Sequence, residues 1–177
     1  MPLAVKLSLI AIAAVLLHGC ATPSSPTMMA VDGVKASQIK TNEVLRGRIY
    51  IRNVEGGKET DATGTSQVSN DALRLALTRS LENTGYLSQA ATAPVALDVN
   101  LQFITQQAMG ITFTIQSIVR YTLTENQNRK FYPITAVGVA GPSDTLDGHE
   151  RRRMANERSI RSSIEQFVEA LQTFKWD

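Results

Sequence analysis

Few residues in this chain could support catalysis or bind a metal ion. Cys20 is the only cysteine and His149 is the only histidine after it, which is too few thiolate and imidazole ligands for a usual zinc site. No serine lies in a Gly-x-Ser-x-Gly motif, and Gly138 and Gly141 lack the third glycine of a dinucleotide-binding fingerprint. The sequence therefore predicts a protein that is not an enzyme and that holds no cofactor or metal ion.

The first 20 residues combine a positive charge, an apolar run and a small residue before a cysteine. Lys6 supplies the charge, residues 7–17 are almost entirely apolar, and Gly19 precedes Cys20. This order is typical of a secretory signal peptide. The apolar run is also short for a membrane-spanning helix, which needs about 20 residues. We expect residues 1–19 to be a cleaved signal, with secretory cleavage at another position as the alternative.

The sequence Leu17-His18-Gly19-Cys20 resembles the lipobox of bacterial lipoproteins. In that class a diacylglyceryl group is attached to the cysteine sulfur, cleavage occurs before the cysteine, and the new amino terminus is usually acylated too. The resemblance implies lipidation at Cys20, and two or more acyl chains hold a protein stably on a membrane. Ala21 stands where aspartate is the inner-membrane retention signal of enteric bacteria. The resemblance therefore implies the outer membrane, with the protein facing the periplasm.

The rest of the chain has the composition of one domain of ordinary size. Hydrophobic residues make up 43% of the sequence, and 18 Lys and Arg residues nearly balance 16 Asp and Glu residues. This balance gives no reason to expect nucleic acid as a partner. Residues 20–42 begin with prolines and serines and have no sustained apolar periodicity, so we expect a lipidated cysteine followed by a flexible tether. Residues 43–177 are then a single domain.

Alternation of apolar and polar residues predicts four strands. The segments are Val44 to Val54, Val95 to Phe103, Ile111 to Thr124 and Phe131 to Val139. Pro133 cannot donate a hydrogen bond to a neighbouring strand, so we expect the fourth strand at an edge or a bulge.

Helical spacing predicts one helix from Ser69 or Asn70 to about Thr84, ended by Gly85. A second, C-terminal helix begins at a cap formed by either Asp147 or Asn156, and the sequence leaves both possibilities open. The helix after the first strand favours a parallel crossover, and the next three strands favour an antiparallel meander. The predicted fold is α+β: a two-layer sandwich with a four-stranded mixed sheet (β-α-β-β-β-α) and two helices on one face.

Two groups of arginines are candidates for contact with an anionic partner. Arg46 and Arg48 lie on one face of the predicted first strand, and Arg151, Arg152 and Arg153 lie near the start of the last helix. If that helix starts at the earlier cap, the three cations sit at the positive end of its dipole, and an anionic partner would relieve the repulsion. The alternative for both groups is a solvated face or pairing with local carboxylates.

As a whole, the chain resembles the YajG-like family of small bacterial lipoproteins that face the periplasm. The resemblance lies in Leu17 to Cys20, in Arg120-Tyr121-Thr122-Leu123, and in Ala155-Asn156-Glu157 before the amphipathic helix. It implies no activity. Two functions remain open: a structural or accessory module that docks on another envelope protein, and a binding protein for a small anionic envelope ligand such as a lipid or a glycan.

Overall fold

The computed structural model describes residues 21–60, 65–88, 90, 93–105, 107 and 110–176. Within these residues the chain forms four strands and four helices in an α+β arrangement. The strands are β1 (Ile49–Glu55), β2 (Val95–Ile104), β3 (Phe113–Glu125) and β4 (Asn128–Ala140). The helices are α1 (Pro26–Met29), α2 (Gly33–Gln38), α3 (Asn70–Asn83) and α4 (Gly148–Leu171).

The four strands form one mixed sheet in the order β1-β2-β3-β4. β1 and β2 are parallel, and β2, β3 and β4 form an antiparallel meander. The long helices α3 and α4 cover the same sheet face, and the main apolar core lies between the two layers, with a second, smaller buried cluster formed by Phe113, Ile115, Ala140 and Ala155. The predicted fold class is therefore confirmed, and Pro133 lies in the edge strand β4 as expected.

Helix α3 forms where its capping residues predict. The Ser69 Oγ accepts a hydrogen bond from the Ala72 N–H at 3.1 Å, which satisfies one of the free donors of the first turn. Gly85 adopts a φ of +73°, the left-handed conformation that ends a helix with least cost in glycine.

Helix α4 begins at the earlier of the two possible caps. The Asp147 Oδ1 accepts a hydrogen bond from the His149 N–H at 2.8 Å. Asn156 is instead buried within the helix, where its Nδ2 donates to the Ser66 carbonyl at 2.8 Å. A side chain on Gly138 would overlap the backbone of α4, so this glycine allows the helix to lie close against β4.

Two strand predictions need correction. The first strand starts at Ile49 rather than Val44, because residues 43–48 form turns in which Gly47 has a φ of +62°. In β2 the register shifts between Leu101 and Phe103. This β-bulge breaks the alternation and places Phe103 on the exposed sheet face instead of in the core.

The predicted flexible tether is wrong for the residues that the structure describes. Residues 21–42 contain helices α1 and α2 and pack along α3 and α4, and Met29 and Val31 are fully buried. The Val31 N–H donates to the Ser80 Oγ at 3.0 Å, and the Lys40 N–H donates to the Gln172 Oε1 at 3.2 Å. Helices of four and six residues are too short to produce a visible apolar periodicity, so the sequence pattern did not predict this packing.

Candidate functional site

Arg46 and Arg48 are paired with carboxylates of their own chain. Arg46 binds Glu43 through two hydrogen bonds, from Nε at 2.8 Å and Nη2 at 2.6 Å. This contact raises the pKa of Arg46 and lowers the pKa of Glu43. The Arg48 Nη2 lies 2.5 Å from the Glu125 Oε1, at the turn between β3 and β4. Both arginines therefore already pair with carboxylates of the fold, Arg46 with a near neighbour in sequence and Arg48 with a distant one, as the alternative to an anion site required.

The three consecutive arginines of α4 each make contacts within the fold. Arg151 Nη1 donates to the Thr145 carbonyl at 2.8 Å. Arg152 Nη1 donates to the Thr65 Oγ1 at 3.0 Å, and its guanidinium lies 5.1 Å from the centre of the Phe113 ring. These contacts tie the first turns of α4 to two loops and to the start of β3.

Arg153 lies between two carboxylates of its own helix. Its Nη2 is 2.6 Å from the Glu150 Oε2, and its Nη1 is 2.7 Å from the Glu157 Oε1. Arg48 contacts the β3–β4 turn, whereas Arg151 contacts the loop before α4, at the opposite end of the sheet. The two predicted groups of arginines are therefore not brought into one site.

Glu157 is a buried carboxylate that was not among the predicted site residues. Its Oε1 accepts hydrogen bonds from the Ser25 N–H and from Arg153, both at 2.7 Å. Burial outweighs these contacts and raises the pKa of Glu157 above its usual value. A detectable signal existed, because Glu157 lies three residues before Ile160, on the apolar stripe of α4.

This pKa shift predicts that Glu157→Gln gains stability relative to the wild type as the pH rises. A folded-state pKa above the unfolded value means that the folded protein binds the proton more tightly, so the wild type loses this stabilisation as the pH rises through the folded pKa. Glutamine keeps an acceptor for the Ser25 N–H but does not titrate. Urea unfolding of both proteins at pH 4 and pH 7 measures the difference. If the free energy of unfolding of the variant falls relative to the wild type between pH 4 and pH 7, the partners of the carboxylate stabilise its charged form.

The sheet face opposite the helices is open, and its β4 side combines apolar and cationic groups. Phe131, Val137 and Val139 are large exposed apolar residues on this face. Arg120 and Arg129 line a shallow depression of about 270 Å³ there. Neither guanidinium makes an ion pair with any residue in the described ranges.

The β1 and β2 side of the same face carries charges of both signs. Arg52 forms an ion pair with Asp98, and Asn100 donates a hydrogen bond to Glu55. Glu55 and Asp98 line the same depression as Arg120 and Arg129, so the two guanidiniums that form no ion pair lie beside two carboxylates and next to exposed apolar surface. A surface patch with these properties is typical of an interaction site.

Both edges of the sheet are partly blocked for strand addition. In β4, Pro133 lacks an N–H, and the Val139 carbonyl accepts a hydrogen bond from the Arg158 Nη1 at 2.5 Å. In β1, the Ile51 carbonyl accepts from the Arg74 Nη1 at 3.0 Å. A partner would therefore meet the open face of the sheet more readily than its edges.

The residues that the structure describes include neither a metal-binding cluster nor a membrane-spanning helix. They contain no cluster of three or more His, Cys, Asp or Glu side chains able to hold a metal ion. No helix among them has the length and apolar character needed to cross a bilayer.

Comparison with known proteins gives structural similarities only. No family model and no curated protein matches this chain. A "putative lipoprotein" from Caulobacter crescentus CB15 is 13% identical, with a TM-score of 0.49 over 79% of this chain and 93% of that chain. Protein XCC0632 from Xanthomonas campestris, of family model DUF330, is 13% identical, with a TM-score of 0.38 over 75% of this chain and 76% of that chain. Hypothetical protein CT253 from Chlamydia trachomatis is 9% identical, with a TM-score of 0.40 over 70% of this chain and 89% of that chain. These identities transfer no function to this chain.

Proposed function

We propose that this protein is a lipid-anchored, non-catalytic interaction module of the bacterial cell envelope. Acylated Cys20 holds it on the outer membrane, and the domain faces the periplasm. The module docks on another envelope protein through the β4 side of its open sheet face. The observation that supports this proposal most is the coincidence there of exposed Phe131 and Val137 with the unpaired cations Arg120 and Arg129.

The chemistry of this face indicates the kind of partner. Burial of the exposed aromatic and aliphatic side chains against a partner is favourable. The two arginines that form no ion pair favour an acidic surface opposite them. The partner we propose is therefore an envelope protein that presents an apolar surface flanked by Asp or Glu. Because the cations lie in a depression of the sheet rather than on long loops, the contact needs little reorganisation of this domain.

A photo-crosslinking residue at position 137 tests this function in cells that make the anchored protein. Position 75 on helix α3 is the matched control, because Val137 and Leu75 are both 50% exposed but lie on opposite layers. We expect one reproducible adduct from position 137, no such adduct from position 75, and loss of the adduct in Cys20→Ala. The same mixture of abundant proteins from both positions would contradict the proposal.

The alternative is a binding protein for a small anionic lipid or glycan, and the same depression supports it. Its lining includes Arg120, Arg129 and Asn100, which can hydrogen-bond an anion, together with the carboxylates Glu55 and Asp98. Replacement of both arginines by glutamine separates the two functions. If position 137 yields no protein adduct and the variant loses an extractable anionic lipid or glycan that the wild type retains, the alternative is correct.

A further inference from the structure

The chain leaves little length between the proposed lipid anchor and the folded domain. The Ser24 N–H already donates to the Gln67 carbonyl at 3.2 Å, and the Ser25 N–H donates to buried Glu157. Four residue steps separate Ser24 from Cys20, which limits the distance between their Cα atoms to about 14 Å. An acylated Cys20 would therefore hold the domain close to the bilayer.

The direction of the first segment shows which end of the domain lies toward Cys20. Residues 25–40 run alongside α4 in the same direction, since Ser25 contacts Glu157 and Lys40 contacts Gln172. Followed backwards from Ser25, the chain thus heads toward the N-terminal end of α4. The end that faces the anchor is the one where α4 begins.

Short contacts connect this end to the loop that holds Gln67, to the start of β3 and to the loop before α4. The loop that holds Gln67 also holds Thr65, which accepts a hydrogen bond from Arg152, and the Arg152 guanidinium lies over the Phe113 ring. Phe113 begins β3, directly after Ile111 and Thr112. Arg151 donates to the carbonyl of Thr145, the residue before Leu146.

The loop before β3 and the loop before α4 each present one large apolar side chain to solvent. Leu146 is 88% exposed and Ile111 is 75% exposed, more than any other large apolar residue in the described ranges. Neither packs against the core clusters. Exposed side chains of this type lower their free energy by entering the boundary between headgroups and acyl chains of a bilayer.

We propose that the end of the domain defined by Ile111, Leu146 and the first turn of α4 lies against the phospholipid bilayer, with both side chains inserted into its interfacial region. This inference rests on the proposed function, because it takes Cys20 as the anchored residue. The acyl chains supply the affinity, and the two loops set the orientation. The strands then stand away from the membrane, so the open sheet face remains accessible to a protein partner from the side.

The charges at this end favour apolar insertion over attraction to anionic lipids. Exposed Lys58 and half-buried Arg151 are offset by exposed Glu59 and Asp147. Arg158 and Asp144 form an ion pair with an N–O distance of 2.7 Å. With cations and anions interspersed, the contact should depend little on salt concentration.

Fluorescent labels on single introduced cysteines test this orientation in the acylated, full-length protein. Leu146→Cys and Ile111→Cys report on the proposed contact. Val34→Cys is the matched control, because Val34 is 74% exposed but lies next to Lys35, which pairs with Glu169 near the other end of α4. The vesicles contain phosphatidylethanolamine, phosphatidylglycerol and a nitroxide-labelled phospholipid that quenches fluorescence at the interface.

We expect several-fold stronger lipid quenching at positions 146 and 111 than at position 34, at both low and high salt. Equal quenching at all three positions would overturn the orientation. The wild-type protein distinguishes this failure from a failure of the proposed function. If it takes up the thiol label or leaves the membrane fraction, the anchor itself is absent; if it does neither, weak quenching at 146 contradicts only the inference drawn from the loops.

Discussion

A chain that lacks residues 21–42 is expected to lose its cooperative unfolding transition. This segment lies along helices α3 and α4 and buries Met29, Val31 and Ile39 in the main core. Full burial of each such side chain contributes roughly 1.5–3 kcal/mol, whereas domains of this size are stable by about 5–15 kcal/mol in total. The truncated chain would also leave the apolar surfaces of both helices exposed to water. Urea unfolding followed by circular dichroism measures the effect.

Two adjacent methionines provide a control that keeps the chain length unchanged. Met29 is fully buried, whereas Met28 is exposed and contacts Arg161 through its backbone carbonyl only. We expect Met29→Ala to lower the free energy of unfolding by about 2–5 kcal/mol, and Met28→Ala to change it by less than about 0.5 kcal/mol. If both substitutions had equally small effects and the truncated chain were stable, the flexible tether predicted from the sequence would be correct.

Phe167→Ala is expected to cause the second large loss of stability. The ring of Phe167 stacks on Tyr121 with a centroid distance of 4.2 Å and meets Tyr132 edge-on at 5.7 Å. Its removal leaves a cavity between α4 and the sheet and should lower the free energy of unfolding by about 3–5 kcal/mol. Thermal or urea unfolding of the purified domain measures the change.

Phe131→Ala removes the same ring from the opposite sheet face and should leave stability nearly unchanged, because Phe131 is exposed. We expect it instead to weaken the crosslink from position 137 to a partner. If both Phe131→Ala and Phe167→Ala changed only stability and neither weakened the crosslink, the assignment of the open face as the docking surface would be contradicted.

Regular elements could be predicted from the sequence because their signals are local. Ser69 and Gly85 mark the two ends of α3, and the alternating residues of β3 occupy opposite faces of the sheet as expected. The exceptions have specific physical causes. A bulge of one residue turns Phe103 to the other face, and the short helices α1 and α2 are stabilised by contacts with distant residues such as Ser80 and Gln172.

The candidate sites were less predictable, because a charge in a sequence does not show its partner in space. Arg48 forms an ion pair with Glu125, which lies 77 positions later in the chain, so the sequence around Arg48 could not reveal this pair. Arg129 and Phe131 look like ordinary residues of a hairpin until β4 is placed at the sheet edge with its outer face open. The exposure of Ile111 and Leu146 likewise depends on how the loops fold.

Mass spectrometry of the N-terminal peptide from membrane-extracted protein tests the central claim most directly. The proposed function predicts that the peptide begins at Cys20 and carries diacylglycerol on sulfur and an acyl chain on its amino group. The N-terminal peptide from Cys20→Ala should carry neither diacylglycerol nor an acyl chain. A peptide with a free Cys20 thiol, or an N-terminus at another residue, would contradict both the lipid anchor and the orientation derived from it.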